Sequence, residues 1–413
     1  MNTASLNSPA SAAGSAGTAE SATAGPARAA TAATAPAAHA PPAPRTAPGG
    51  PARTGTASPA SPRTADDPRV RWTAAPEDPT PPLHERRDGI LPAVAAALSV
   101  RGRTLTSTGN KGDQAPAPHP LVQDFLDTLT TEHRARHTGR CPETVLISRY
   151  LGETEAARPS KRTKGRTSGG KGGKRTLTLA EAKRALKNAK LTARHIREQG
   201  DPLHGRYAPP CRSCGALLAH FGVRPVDSGS RHQGRSVTPP RNLRDSTTRF
   251  SVAVDDALRN AGWRPGRRDM RQAEEWADTL RLHASPGGHR HAVLPAAVEV
   301  WAEFGNLPIV PTGPGRNIAP SAVRIDPLHA LHAARTLAEL GRALRTKICP
   351  LGTDGSDAAI LAIDTEARVY SLDHTGDWYL GRDFDTALAA LLTGTRPERL
   401  TRPLDASAAG DSV

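Results

Sequence analysis

Four residues of this sequence have the types and spacing that chemistry asks for: Cys141, Glu143, Cys211 and Cys214. Cys211 and Cys214 stand three apart in Pro210-Cys211-Arg212-Ser213-Cys214, so if a helix begins there both thiols reach one metal ion from its first turn. Cys141 opens another expected helix at Cys141-Pro142-Glu143, and a helix N-terminus favours the thiolate that metals bind. Zinc prefers four ligands in a tetrahedron, and a centre with three protein ligands leaves one place for water, as catalytic sites do. Zinc acidifies such a water to near neutral pH. Glu143, two residues from a ligand, is placed to take the proton and pass it to a ring nitrogen and a departing amine, which is the proton traffic of hydrolytic deamination.

The order Cys-x-Glu and then Pro-Cys-x-x-Cys is that of the zinc nucleobase deaminases. Three thiolates weaken zinc as a Lewis acid, and a nearby donor offsets that; Arg212, between two ligands, is the residue expected to donate to their sulfurs. Two other chemistries compete. A redox pair also sets C-x-x-C at a helix start, but leaves Cys141 and Glu143 without a role. A purely structural zinc needs a fourth ligand, for which His204 and Cys349 are candidates; Cys349, inside an apolar Ile-Cys-Pro-Leu run, reads better as a core thiol.

The elements that must position these residues follow from periodicity. Residues 90–99 and 103–108 read as two strands around a turn, and residues 119–136 as a helix carrying Leu121, Phe125 and Leu129 on one face. A helix from Cys141, a helix over 180–189, a strand over 191–196, a helix from Cys211 to Gly222 and a closing strand over 223–226 complete a first domain, placed at 87–227. Residues 158–175 interrupt it with Arg158, Lys161, Arg162, Lys164, Arg166, Lys171, Lys174 and Arg175 among glycines. That basic insertion reads equally as a solvated loop or a phosphate contact, since only Tyr150 lies near to stack on a base.

A polar stretch, 228–247, is the expected linker. Beyond it, helical stripes at Val254-Leu258-Ala261 and Val298-Trp301-Phe304, a hairpin over 358–372 and a last helix over 384–392 make an α+β unit, 248–396. Residues 1–86, mainly Ala, Pro, Thr, Ser and Gly, and 397–413 are expected to be disordered tails.

Composition bounds the class. The chain has 413 residues, enough for two domains, and its four cysteines are too few for a disulfide scaffold. Neither a signal peptide nor a membrane span is legible, so the expected location is the cytoplasm with no membrane partner. The net charge of +15 is concentrated in the 158–175 insertion.

From about Gly89 to Val226 the sequence resembles the YwqJ-related deaminase family of bacterial polymorphic toxin systems. The residues that carry this are His119-Pro120-Leu121-Val122, Gly139-Arg140-Cys141-Pro142-Glu143 and the run from Gly200-Asp201-Pro202 through His204-Gly205 to Pro209-Pro210-Cys211-Arg212-Ser213-Cys214, with Phe221-Gly222-Val223. The resemblance implies a cytidine-deaminase-like α/β fold, a mixed sheet between helices, with Zn2+ on the three cysteines and Glu143 as proton carrier. Residues 249–394 resemble the third subgroup of the SUKH immunity-protein superfamily, on residues 257–267, Phe304-Gly305-Asn306-Leu307, Cys349-Pro350-Leu351-Gly352 and Gly376-Asp377-Trp378. That implies a protein partner such as a toxin rather than a reaction, and makes Trp263, Trp301 and Trp378 core residues first and interface anchors second. The sequence therefore points to a zinc-dependent hydrolytic deaminase of a nucleobase, nucleotide or nucleic acid, fused to a protein-binding domain. The alternative is a non-catalytic immunity or interaction protein with a zinc-stabilised, deaminase-like scaffold.

Overall fold

The computed structural model describes residues 79–85, 87, 89, 91–158, 176–227, 249–355 and 359–402. The basic insertion beyond Arg158 and the linker lie outside them. In the first unit, β1 (Ala93–Val100) and β2 (Arg103–Thr108) form a hairpin whose two turn residues, Arg101 and Gly102, both adopt positive φ, 49° and 80°, the twist a two-residue hairpin needs. Helices α1 (Pro120–Asp127), α2 (Pro142–Ala156) and α3 (Leu179–Ala185) follow, then β3 (Lys190–Ile196), α4 (Arg212–Phe221) and a short β4 (Arg224–Pro225). The sheet order is β2-β1-β3-β4, antiparallel except for the parallel β3–β4 edge.

Alternation along β1 decides how this sheet is covered. Val94, Ala96, Leu98 and Val100 share one core with Leu146, Ile147 and Leu151 of α2, Ala182 of α3, and Leu217, Leu218 and Phe221 of α4. Ala95, Ala97 and Ser99 point the other way and join no apolar cluster among the described residues. The expected sheet between helices is thus corrected, among the described residues, to a sheet with its helices packed on one face.

The second unit builds a seven-stranded antiparallel sheet in the order β11-β10-β9-β8-β7-β6-β5. Its elements are α5 (Val252–Asn260), α6 (Met270–Leu282), α7 (Pro295–Phe304), β5 (Pro308–Ile309), β6 (Val323–Arg324) and α8 (Ala334–Leu344), then β7 (Ile348–Asp354), β8 (Ala359–Asp364), β9 (Val369–Asp373), β10 (Gly376–Gly381), α9 (Phe384–Thr393) and β11 (Glu398–Arg399). Here both faces are covered. Leu361 and Ile363 of β8 pack under α5, α6, α7 and α9, while Ile360 and Ala362 pack against Leu337 and Leu340 of α8.

Both tail boundaries are corrected. Leu83 is buried against α8 and bonds its amide to the Thr401 carbonyl, and Arg87 pairs with Asp377, so the chain is packed before residue 87. At the other end Leu400 is buried and β11 pairs with β10, so the unit extends past residue 396. The helix expected over 119–136 ends at Asp127; Thr131–His133 form a single 3-10 turn, and the rest is the loop that carries Arg136 and His137. Among the described residues, no helix is long and apolar enough to cross a membrane.

Candidate metal centre

Two helix starts supply the thiols. Cys141 is the N-cap of α2, followed by Pro142 at the first helical position and Glu143 in the first turn, where an acid complements the helix dipole. Cys211 is the N-cap of α4, and Gly222 closes that helix in the left-handed conformation, φ 71°. The three sulfur atoms, from Cys141, Cys211 and Cys214, lie within 4.8 Å of one another, and Cys141 Sγ is 3.7 Å from Cys211 Sγ. Cys141 and Cys214 are buried and Cys211 is half-buried.

That spacing fits zinc. Tetrahedral zinc with Zn–S bonds of about 2.3 Å separates its sulfurs by about 3.8 Å, and a three-thiol donor set suits a borderline-soft ion. Hydrogen bonds from Cys141 and Cys214 hold the Cys211 thiol well below its usual range, with His137 adding to the effect. Burial, and next the Cys211 thiolate, push the Glu143 carboxyl up to about 7.

The loop before Cys141 is stitched to α4 by Ser213, the residue just before Cys214. Its hydroxyl donates to the His133 carbonyl (2.8 Å), accepts from the Ala135 amide (2.8 Å) and lies 3.0 Å from Thr138 Oγ1. Arg212 does not take the expected place beside the sulfurs. It is exposed, reaches toward the Glu132 carbonyl at 3.5 Å, and lines the rim of the cavity beside Cys211. Neither alternative fourth ligand joins the centre. His204 Nδ1 sits 2.9 Å from the Arg197 carbonyl, and Cys349 is sealed in the second unit's core, its thiol pushed up to about 12 by burial.

Two histidines not singled out from sequence stand here instead. His137 and His374 each place a ring nitrogen within 4.8 Å of the other and of Cys141 Sγ. Neither nitrogen of His137 has a hydrogen-bond partner among the described residues, Asp373 Oδ2 being 3.7 Å from Nδ1. Burial works against a charge on His137, yet the Cys211 thiolate and Asp373 outweigh it and hold the imidazole up at about 10. His374, half-buried beside it, is pushed down to about 4 by desolvation and by its charged neighbour. His137 was findable as the histidine four residues ahead of Cys141; His374, far along the chain, had no local signal.

His374 belongs to the second unit, which packs directly on the first. Arg136, one residue from His137, donates from Nη1 to Asp354 Oδ2 (2.9 Å), from Nε to Asp373 Oδ2 (3.0 Å) and from Nη2 to Ser371 Oγ (2.8 Å), with its guanidinium 5.8 Å from the Trp378 ring. Trp378 is thus an anchor inside this contact, while Trp263 and Trp301 are core residues. A cavity of about 330 Å³ opens between the units, lined by Glu143, His195, Pro210 and Cys211 on one side and by Ile318, Asp354, His374 and Leu391 on the other.

Fold and site together define a two-unit chain: an α/β unit with a buried, metal-competent three-thiol centre, and an antiparallel α+β unit seated over it. Residues 83–223 match the family model of the YwqJ-like deaminase, and residues 250–394 match that of the SUKH-3 immunity protein. Each match falls on one of the two units. No curated protein and no solved structure matches it.

Proposed function

We propose that the first unit, bounded near 87–227 as the sequence suggests, is a zinc-dependent hydrolytic deaminase of a nucleobase-containing substrate, and that the pairing with a SUKH-3 unit places it in a toxin–immunity setting. Cys141, Cys211 and Cys214 would hold the ion, which when bound supplies an acidified water. Glu143 moves the protons: its carboxyl is buried beside the thiols, lines the cavity, and is poised near neutrality, where a group both accepts and returns a proton efficiently. Ser213 ties down the loop whose Ala135, Arg136 and His137 also line the cavity.

The observation that carries this reading is Glu143. A zinc-stabilised scaffold has no use for a carboxylate buried beside thiolates, which costs energy to desolvate and disfavours the charges around it. The test is ammonia release from bases, nucleosides, nucleotides and single-stranded nucleic acids by the zinc-loaded full chain carrying Asp354→Arg, which breaks the contact with Arg136. Release that vanishes in the added Glu143→Ala variant, with zinc retained, supports the reading. No release from any of these substrates, or equal release without Glu143, rejects it in favour of the scaffold.

A further inference from the structure

The second unit does not pack on the first at random; it presents one hairpin. β9 and β10 pair Asp373 with Gly376, leaving His374 and Thr375 as a two-residue tip. Asp373 stiffens that tip with one oxygen, Oδ1, which accepts from the Thr375 amide (2.7 Å), the Thr375 hydroxyl (2.5 Å) and the Gly376 amide (3.1 Å). Its other oxygen, Oδ2, takes Arg136 of the first unit. Ser371 and Asp373 follow Val369 along the same side of β9, and Trp378 lies directly opposite Ser371. One face of the hairpin therefore meets Arg136.

The first unit is shaped to receive this tip. Gly109 lies under His374 so closely that a Cβ there would stand 2.6 Å from the His374 carbonyl oxygen and 3.1 Å from its ring. The seat is held by further contacts across the same boundary. The Ala319 amide bonds to the Arg134 carbonyl (2.8 Å), Arg399 Nη2 donates to the Lys111 carbonyl (2.5 Å), and Glu198 accepts from the Thr336 amide (2.6 Å). Arg136, Asp354 and Asp373 are all buried there, with side chains 8%, 4% and 3% exposed. A buried ion set of this kind stands only while all its members are present.

We infer that the SUKH-3 unit takes its own chain's deaminase unit as partner: latched by Arg136, the β9–β10 tip closes the cysteine centre to substrate and holds the His374 imidazole beside Cys141. This rests on the reading of the first unit as a deaminase only for what is restrained; the closure itself is a matter of contact. Two thiols of the centre are sealed and the third half-covered, and the cavity that Glu143 lines has the second unit as its far wall. A catalytic zinc site needs an open coordination place, whereas here a second protein donor group waits at Cys141.

The test uses the metal-stripped full chain and iodoacetamide, with labelling of each cysteine read by peptide mass spectrometry. Asp354→Arg sets like charges against each other at Arg136 and should raise the rate at Cys211 by about tenfold or more, while Cys349, in the core of the second unit, stays protected and reports that this unit is still folded. Adding Arg136→Asp restores one positive group between two carboxylates, now Arg at 354 between Asp at 136 and Asp373, and should restore protection; loss of the first unit's fold would not be reversed this way. In a parallel assay of the zinc-loaded chain, ammonia release should rise with the same variant and fall with the rescue. Unchanged labelling at Cys211 in Asp354→Arg, or labelling that the second change does not reverse, overturns the closure. Labelling that rises and reverses without any ammonia release leaves closure standing and defeats the deaminase reading instead. Release that falls as labelling rises overturns the inference too, because the second unit would then be completing the pocket.

Discussion

At the scale of single residues, the centre was legible where spacing alone constrains geometry. Cysteines at helix starts three apart, and a carboxylate two residues beyond another cysteine, have few arrangements open to them, so Cys141, Glu143, Cys211 and Cys214 could be named before any fold was known. Arg212 was named for its place between two ligands; its side chain is exposed and reaches toward the Glu132 carbonyl, while Ser213 makes the short bonds that tie the loop to the helix. Ser213→Ala strips the His133 carbonyl and the Ala135 amide of their partner at a buried position. It should cost roughly 1–3 kcal/mol in chemical denaturation and weaken zinc retention. Full stability with unchanged zinc retention would mean that the loop is held some other way.

At the scale of elements, strands and helices with strong alternation were legible and irregular ones were not. The β1–β2 hairpin, β3, α4 and α9 fall close to where periodicity put them. β7 was missed because Pro350 and Gly352 look like breakers; the structure absorbs them in a register shift between those residues. β5, β6 and β11 are two residues each and carry no pattern. The one-sided sheet of the first unit could not be foreseen because small alternating alanines in β1 suit a covered or an uncovered face. At the end of α4, Gly222 holds φ 71° with nothing within 4 Å of a prospective Cβ, so only backbone strain opposes a side chain there. Gly222→Ala should therefore destabilise by about 1 kcal/mol, with Cys211 and Cys214 still in place. A loss several times larger in denaturant titration would show that packing, not φ, is at stake.

At the scale of the whole molecule, the contact between units was invisible in sequence because it is made by residues scattered along both units, Lys111, Arg134, Arg136 and Glu198 on one side and Ala319, Thr336, Asp354, Asp373 and Arg399 on the other, with no shared pattern. One misfit at this boundary offers a measurement. Lys111 buries its ammonium with no hydrogen-bond partner among the described residues, and burial pushes it down to about 7. An unfolded lysine titrates near 10.4, so between roughly pH 7 and 10 the unfolded chain binds a proton that the folded chain does not. Stability should rise with pH across that window, by at most about 1.4 kcal/mol per unit, and the penalty should be full and constant below it. Lys111→Met removes the penalty, so the variant should be the more stable at pH 6 and equal to the parent near pH 10.5. A difference that does not shrink as pH rises would assign the effect to packing.

The account stands on sulfur meeting one ion, and zinc-edge X-ray absorption of the full chain with one equivalent of zinc reads that directly. It should show three sulfur scatterers at about 2.3 Å and a single lighter donor, falling to two sulfurs in Cys141→Ser. A first shell with two sulfurs or fewer in the unaltered chain, or one unchanged by losing Cys141, would contradict it.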